Sequence, residues 1–226
     1  MPGYSYSTFV TALQTEAVQL SSDANWTNYL PTAIDDAEQR CYRDLDLLST
    51  VVRDTSASLT ANSRNFTLPS ALGRFVTVQE FCYFTGSVPS GRTQLLPLPR
   101  TVINFLYPSE TGTSGVPPQY YAPITDQIFI VGPAPYTSYA VEITGTIRPV
   151  PLSAANTTTF LSLYCSDLFL AGAMASVSGY MRNFGSQADD PKMAVSWEQQ
   201  YQQRLASLKV EELKRKYSFG DWAAPQ

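Results

Sequence analysis

Histidine is absent from all 226 residues. That removes the commonest general base, the commonest metal ligand, and every Ser–His or Cys–His catalytic pair. Cysteine is scarce: Cys41, Cys82 and Cys165 lie far apart in apolar settings, with no CxxC spacing. Neither a zinc site nor a redox pair follows from that pattern, which instead suits buried thiols in a reducing cytoplasm. Charge is thin, with 15% charged residues against about 25% in an ordinary domain. The formal net charge is −4, and the sole basic tract is Lys214-Arg215-Lys216. A sequence-reading grip on nucleic acid needs clustered Lys and Arg, so that function is disfavoured. The longest apolar run, Leu168 to Val177, is too short to cross a bilayer, so no membrane segment is expected. The opening MPGYSYSTF has neither the basic nor the apolar region of a secretory signal. A non-secreted protein is therefore expected, and the sequons at Asn25, Asn65 and Asn156 are chance matches.

Catalytic motifs are missing too. No GxGxxG, P-loop, nucleophile elbow or HExxH occurs. Asp35, Asp36, Glu38, Asp44 and Asp46 could be imagined as paired carboxylates for glycoside hydrolysis, but three of them fall on a polar helix face. Asp167, Asp189 and Asp190 lack metal-ligand spacing, and the last two suit a helix cap. Gly112 to Gly115 reads as a flexible loop. No enzyme, metal or cofactor is expected.

What the chain does have is Tyr, Phe and Pro in quantity, and clear periodicity. The 3.6-residue period predicts a first helix over 5–20, with Phe9, Leu13, Ala17 and Leu20 on one face. A second helix is expected over Leu30–Leu48, entered through a loop around Asp23-Asn25, with Pro31 near its start. Its buried stripe is Leu30, Ile34, Ala37, Cys41, Leu45 and Leu48, opposite Asp35, Asp36, Gln39, Arg43 and Asp46. From Val51 to Pro151 the period changes to two, punctuated by Pro and Gly, which signals antiparallel strands. Strands are expected at Phe75–Phe84, Thr101–Tyr107, Gln127–Val131 and Tyr139–Arg148, with a short hairpin in Ala57–Leu68. Loops are expected at Ser87–Arg92 and Ser109–Pro118. Helix resumes over Phe160–Arg182, apolar on most sides and so deeply buried. A last helix starts at Asp190-Pro191 and carries Ala194, Trp197, Tyr201, Leu205 and Leu208 as its stripe. Glu211 and Glu212 stand four residues before Arg215 and Lys216, a spacing that supports exposed turns. The helix stops after Tyr217. The fold class is α+β: a helical bundle formed by both chain ends (1–50 and 152–216), a β-rich antiparallel insertion (51–151), and a C-terminal tail (217–226). Expected core members include Ile34, Cys41, Leu45, Phe160, Leu168, Met174, Trp197 and Tyr201.

Read in order, several stretches resemble the head–tail adaptor (connector) proteins of tailed bacteriophages, most closely the tail tubular protein A-like family of short-tailed phages. They are Leu30-Pro31 leading into AIDDAEQRCYRDLDLL, Leu68-Pro69, Pro97-Leu98 and RPVPLS at 148–153. TTTFLSLYCSDLFLAGAMASVSGYMRN and WEQQYQQRL at 197–205 complete the set, which spans nearly the whole chain. The resemblance implies a structural virion protein made in the host cytoplasm, forming a dodecameric ring between the portal and the tail nozzle or tail tube. Genomic double-stranded DNA would pass through the lumen without sequence-specific binding. An acidic chain suits a conduit that must not hold phosphates. The portal-binding candidates are Lys214, Arg215, Lys216, Tyr217, Phe219 and Trp222, where an aromatic tail can anchor at an interface. Two other readings stand beside this one. The aromatic content and β-rich middle allow a carbohydrate-binding or depolymerising tail module, and another minor virion structural protein is the second.

Overall fold

The computed structural model describes residues 3–18, 23–86, 88–181 and 191–218. In chain order the elements are α1 (Tyr6–Glu16), α2 (Ala24–Asp44), β1 (Val51–Asp54), β2 (Ser58–Leu59), β3 (Asn65–Thr67), β4 (Gly73–Phe84), β5 (Arg92–Gln94) and β6 (Leu96–Pro97). Then come α3 (Arg100–Leu106), β7 (Tyr120–Pro123), β8 (Ile128–Gly132), β9 (Tyr139–Pro149), α4 (Phe160–Tyr164), α5 (Ser166–Met181) and α6 (Pro191–Ser218). The fold is α+β, with helices at both ends and antiparallel sheets in the middle. The chain divides into two compact units, Met1–Ser49 with Val150–Gln226, and Thr50–Pro149.

In the helical unit α5 is the centre, and α1, α2, α4 and α6 all pack on it. Its small residues permit this: Ala171 and Ala173 are fully buried, and Gly172 lies where an added Cβ would come within 3.3 Å of Tyr201. Phe9 stacks on Phe169 at 4.4 Å, and Tyr29 on Tyr180 at 3.9 Å. Of the expected core, Ile34, Cys41, Leu45, Leu168, Met174 and Tyr201 are buried, while Phe160 and Trp197 are partly so. Local chemistry sets the helix starts. Ser5 and Thr8 cap α1 reciprocally, and the Asp23 side chain accepts the Asn25 N–H at 2.9 Å to begin α2.

Three helical expectations need correction. The cap at Asp23 starts α2 six residues earlier than expected, so Pro31 is an interior proline. There it removes an i→i−4 bond, normally a cost of about 3 kcal/mol, in a helix that buries Trp26, Leu30, Ala33 and Ile34. The helix also ends at Asp44, so the chain turns before Leu48, which is exposed, and Leu47 takes the buried place. The single helix expected over Phe160–Arg182 breaks at Cys165, whose backbone (φ −121°, ψ 32°) leaves helical geometry; Leu163 and Tyr164 are consequently exposed. Leu20, Ser87, Arg182, Asp189 and Asp190 lie outside the described residues.

In the β unit, one five-stranded sheet has the order β1-β9-β4-β5, with β2 also pairing β9; a four-stranded sheet runs β3-β8-β7-β6. Strand β9 alternates as expected, with Tyr139, Val141, Ile143 and Ile147 buried. Opposite it on β4, Phe75 faces Ile147 and Phe81 faces Ile143, with register shifts after Phe75 and Val78. Phe81 carries the core across to the second sheet, meeting Phe66 at 5.0 Å and Tyr121 at 5.3 Å. The hairpin expected in Ala57–Leu68 does not form: β2 pairs with β9 and β3 with β8, so the two segments join different sheets. Thr101–Tyr107 is not a strand either. It is α3, started by Pro99 and held by Ile103, which packs with Ala122 and Ile130. Its β-branched content misleads because one buried contact, rather than alternation, decides its conformation.

Candidate partner-binding surface

The end of α6 gathers most of the candidate residues. Tyr201, Leu205 and Leu208 face the core, and the same side continues through Glu212 and Arg215. Glu212 is almost completely buried. One of its oxygens accepts the Leu48 N–H at 3.1 Å and the other accepts from Arg215 at 2.8 Å. Arg215 also bonds Glu211 at 2.9 Å and lies 5.8 Å from the centroid of the Phe160 ring, within cation–π range. Lys216 pairs with Asp46, not with Glu212 as the i,i+4 spacing suggests. Arg215 and Lys216 therefore clasp the last turns of α6 to the segment after α2. Of the basic triplet, Lys214 alone is exposed.

Beside Lys214 the helix shows an apolar strip that sequence patterning passes over. Val210, Leu213 and Tyr217 recur at three and four residues on the side opposite the core stripe, with Tyr217 67% exposed. The signal was present in the sequence as a second apolar stripe on the helix. The wide spacing of these residues among Lys and Glu hides it. Tyr164 on α4 is 69% exposed and packs at a tilt against Phe160 at 5.1 Å, the ring over which the Arg215 guanidinium lies. Helix α6 reaches Ser218, one residue beyond the expected stop. Phe219 and Trp222 lie outside the described residues.

Burial pushes the Cys41 and Cys165 thiols up to about 12 and raises Cys82, so all three are protonated and unreactive at neutral pH. Among the described residues no group of three or more His, Cys, Asp or Glu could hold a metal, and none of their helices is long and apolar enough to cross a membrane. The expected acidic face of α2 is exposed at Asp35, Asp36 and Asp46, whereas Glu38 is buried. Among the aromatic residues of the β unit, Phe66, Phe75, Phe81, Tyr83, Tyr121, Phe129 and Tyr139 are core, while Phe105 and Tyr136 are exposed. A shallow concavity of about 440 Å³ opens beside Tyr136 and Tyr139.

In a comparison with known families, the SU10 adaptor protein family matches residues 4–225. The chain belongs to that family. Among curated proteins, none matches. The adaptor is thus a structural protein of the bacteriophage head–tail junction, and its family implies portal and tail partners and a non-enzymatic role.

Proposed function

We propose that the adaptor assembles as a dodecameric ring beneath the portal and receives the tail nozzle or tail tube below, like tail tubular protein A of short-tailed phages. Genomic double-stranded DNA passes through the lumen, and the segment 214–226 docks onto the portal. The observation that carries this reading is the family match, which extends across both compact units. The α6 strip supports it: Val210, Leu213 and Tyr217 are large apolar groups in water beside Lys214, which suits a protein neighbour. An excess of acidic residues suits a conduit that releases DNA. Side-by-side copies in a ring meet through heterologous contacts that close by rotation.

The test is size-exclusion chromatography with light scattering, run on the adaptor alone and after addition of portal, followed by imaging of the complex. A ring bound to portal is expected. An adaptor that neither self-assembles nor joins the portal, while remaining folded by circular dichroism, overturns the reading.

A further inference from the structure

Arg64, just before β3, is a cation buried without an anion, with 8% of its surface in solvent. A guanidinium offers five N–H donors. Among the described residues this one makes a single hydrogen bond, from Nη2 to the Asn104 side-chain oxygen at 2.9 Å. Its Nε is sealed with no acceptor. Burial lowers its pKa, as desolvation of an unpaired cation must. The guanidinium nevertheless lies near the surface on one side, because its partner Asn104 is exposed.

The chain holds one acid close to that point. The segment that follows α3 is tied down at both ends beside Arg64. At its start, Asn104 bonds Arg64 itself, and Tyr107 stacks on Tyr120 at 6.2 Å. At its end, the Gly112 N–H donates to the side-chain oxygen of Asn62 at 3.0 Å, two residues before Arg64. Gly112 also lies so close to Pro135 that an added Cβ would be 2.4 Å from its carbonyl oxygen. Between these ties run residues 108–111, and Glu110 is the acid among them. Glu110 stands exposed and without an ion pair, yet among the described residues its charge is the one that acts on Arg64 through space. A segment this short, with its ends already fixed, keeps the carboxylate near the cation at little further cost in chain entropy.

We propose that residues 108–111 form a strap with a closed position, in which the Glu110 carboxylate bonds the Arg64 guanidinium beside Asn104. Closure gives the buried cation its anion through charge-assisted hydrogen bonds. It also pins the C-terminal end of α3 to the start of β3. Closure needs no partner, so it operates in the free adaptor and in any assembly that leaves this loop uncovered.

The experiment measures how fast carbodiimide and glycine ethyl ester label the carboxylates of the full-length adaptor, read residue by residue by mass spectrometry. Glu16, exposed on α1, is the internal reference. In the wild type Glu110 is expected to label about tenfold more slowly than Glu16, the factor that a hydrogen bond to a charged group supplies. In Arg64→Gln, shown to be folded by circular dichroism, Glu110 should label as fast as Glu16. Equal rates for Glu110 and Glu16 in the wild type overturn the strap, and that comparison stands even where the variant fails to fold. Slow labelling that persists in folded Arg64→Gln also overturns it, since Arg64 is then not what holds Glu110. If Glu110 labels freely while inorganic phosphate raises the melting temperature of wild type and not of Arg64→Gln, the anion comes from solvent and the strap is again overturned.

Discussion

Glu38 and Glu142 are both buried carboxylates, yet their surroundings give them opposite titrations. Glu38, at 2% exposure, accepts the Leu152 N–H at 2.8 Å and the Tyr42 hydroxyl at 3.4 Å. Burial raises its pKa above the ordinary carboxylate value, more than these bonds lower it. For Glu142, on β9, burial also pushes upward, but bonds from Arg53 and Arg92 outweigh it and hold the pKa below the ordinary value. The signs follow from linkage. Folded Glu38 keeps its proton to higher pH than the unfolded chain does, so its contribution to stability falls as pH rises from the ordinary carboxylate value through its raised one. The contribution of Glu142 is present above the ordinary value and is lost as pH falls through its depressed one. Glu38→Gln can keep an acceptor for Leu152 without a charge. Thermal melts from about pH 4 to pH 8 should show the variant gaining on wild type as pH rises. A constant difference between the two would refute the assignment. Glu38→Ala leaves the Leu152 N–H without its acceptor and should lose about 1–3 kcal/mol where Glu38 is protonated, with the deficit shrinking as pH rises.

At the scale of elements, the position of α3 depends on one glycine. A Cβ added at Gly132, the last residue of β8, would lie 2.7 Å from the Ile103 side chain and 3.1 Å from the Tyr107 ring. Gly132→Ala must therefore push α3 off the sheet or force Ile103 from its place, and overpacking of this kind costs about 1–3 kcal/mol. Chemical denaturation should show a lower midpoint, and hydrogen exchange should show lost protection in Arg100–Tyr107. Unchanged protection there would mean that Ile103 yields without moving its helix. Gly132 also shows why α3 escapes a reading of the sequence. Nothing local marks that glycine as the seat of a helix, and TVINFLY has the composition of a strand. The elements that can be read are those whose burial repeats: Phe9 and Leu13 on α1 with Ala17 at its end, or Tyr139, Val141, Ile143 and Ile147 on β9. Those that mislead rest on one contact or one partner. The Ala57–Leu68 segment has turn residues between two short apolar runs, but pairing to β9 and β8 beats pairing within the segment. The Lys216–Asp46 pair is hidden for the same reason, since only the turn after α2 brings Asp46 to α6.

For the whole molecule, the order of motifs indicates the family, but the fate of the basic triplet needed coordinates. Lys214-Arg215-Lys216 stands out in the sequence as one basic unit, and the fold separates it. Two cations hold α6 in place, and one is left to solvent among Val210, Leu213 and Tyr217. That division shapes the last prediction. Arg215 cannot test portal docking, because Arg215→Ala leaves buried Glu212 without its cation and loosens the fold. Leu213, Lys214 and Tyr217 are exposed and stand outside the clasp. Deletion of 217–226 should leave the circular dichroism spectrum and melting temperature close to wild type and abolish portal binding. Leu213→Ser with Lys214→Glu, in the otherwise complete chain, should weaken portal binding about tenfold or more if the strip and the tail form one surface. Should the deletion bind portal as wild type does, the C-terminal segment has no part in the junction. Should the deletion fail while the double variant binds normally, the tail alone is the anchor and the strip on α6 faces some other neighbour in the virion.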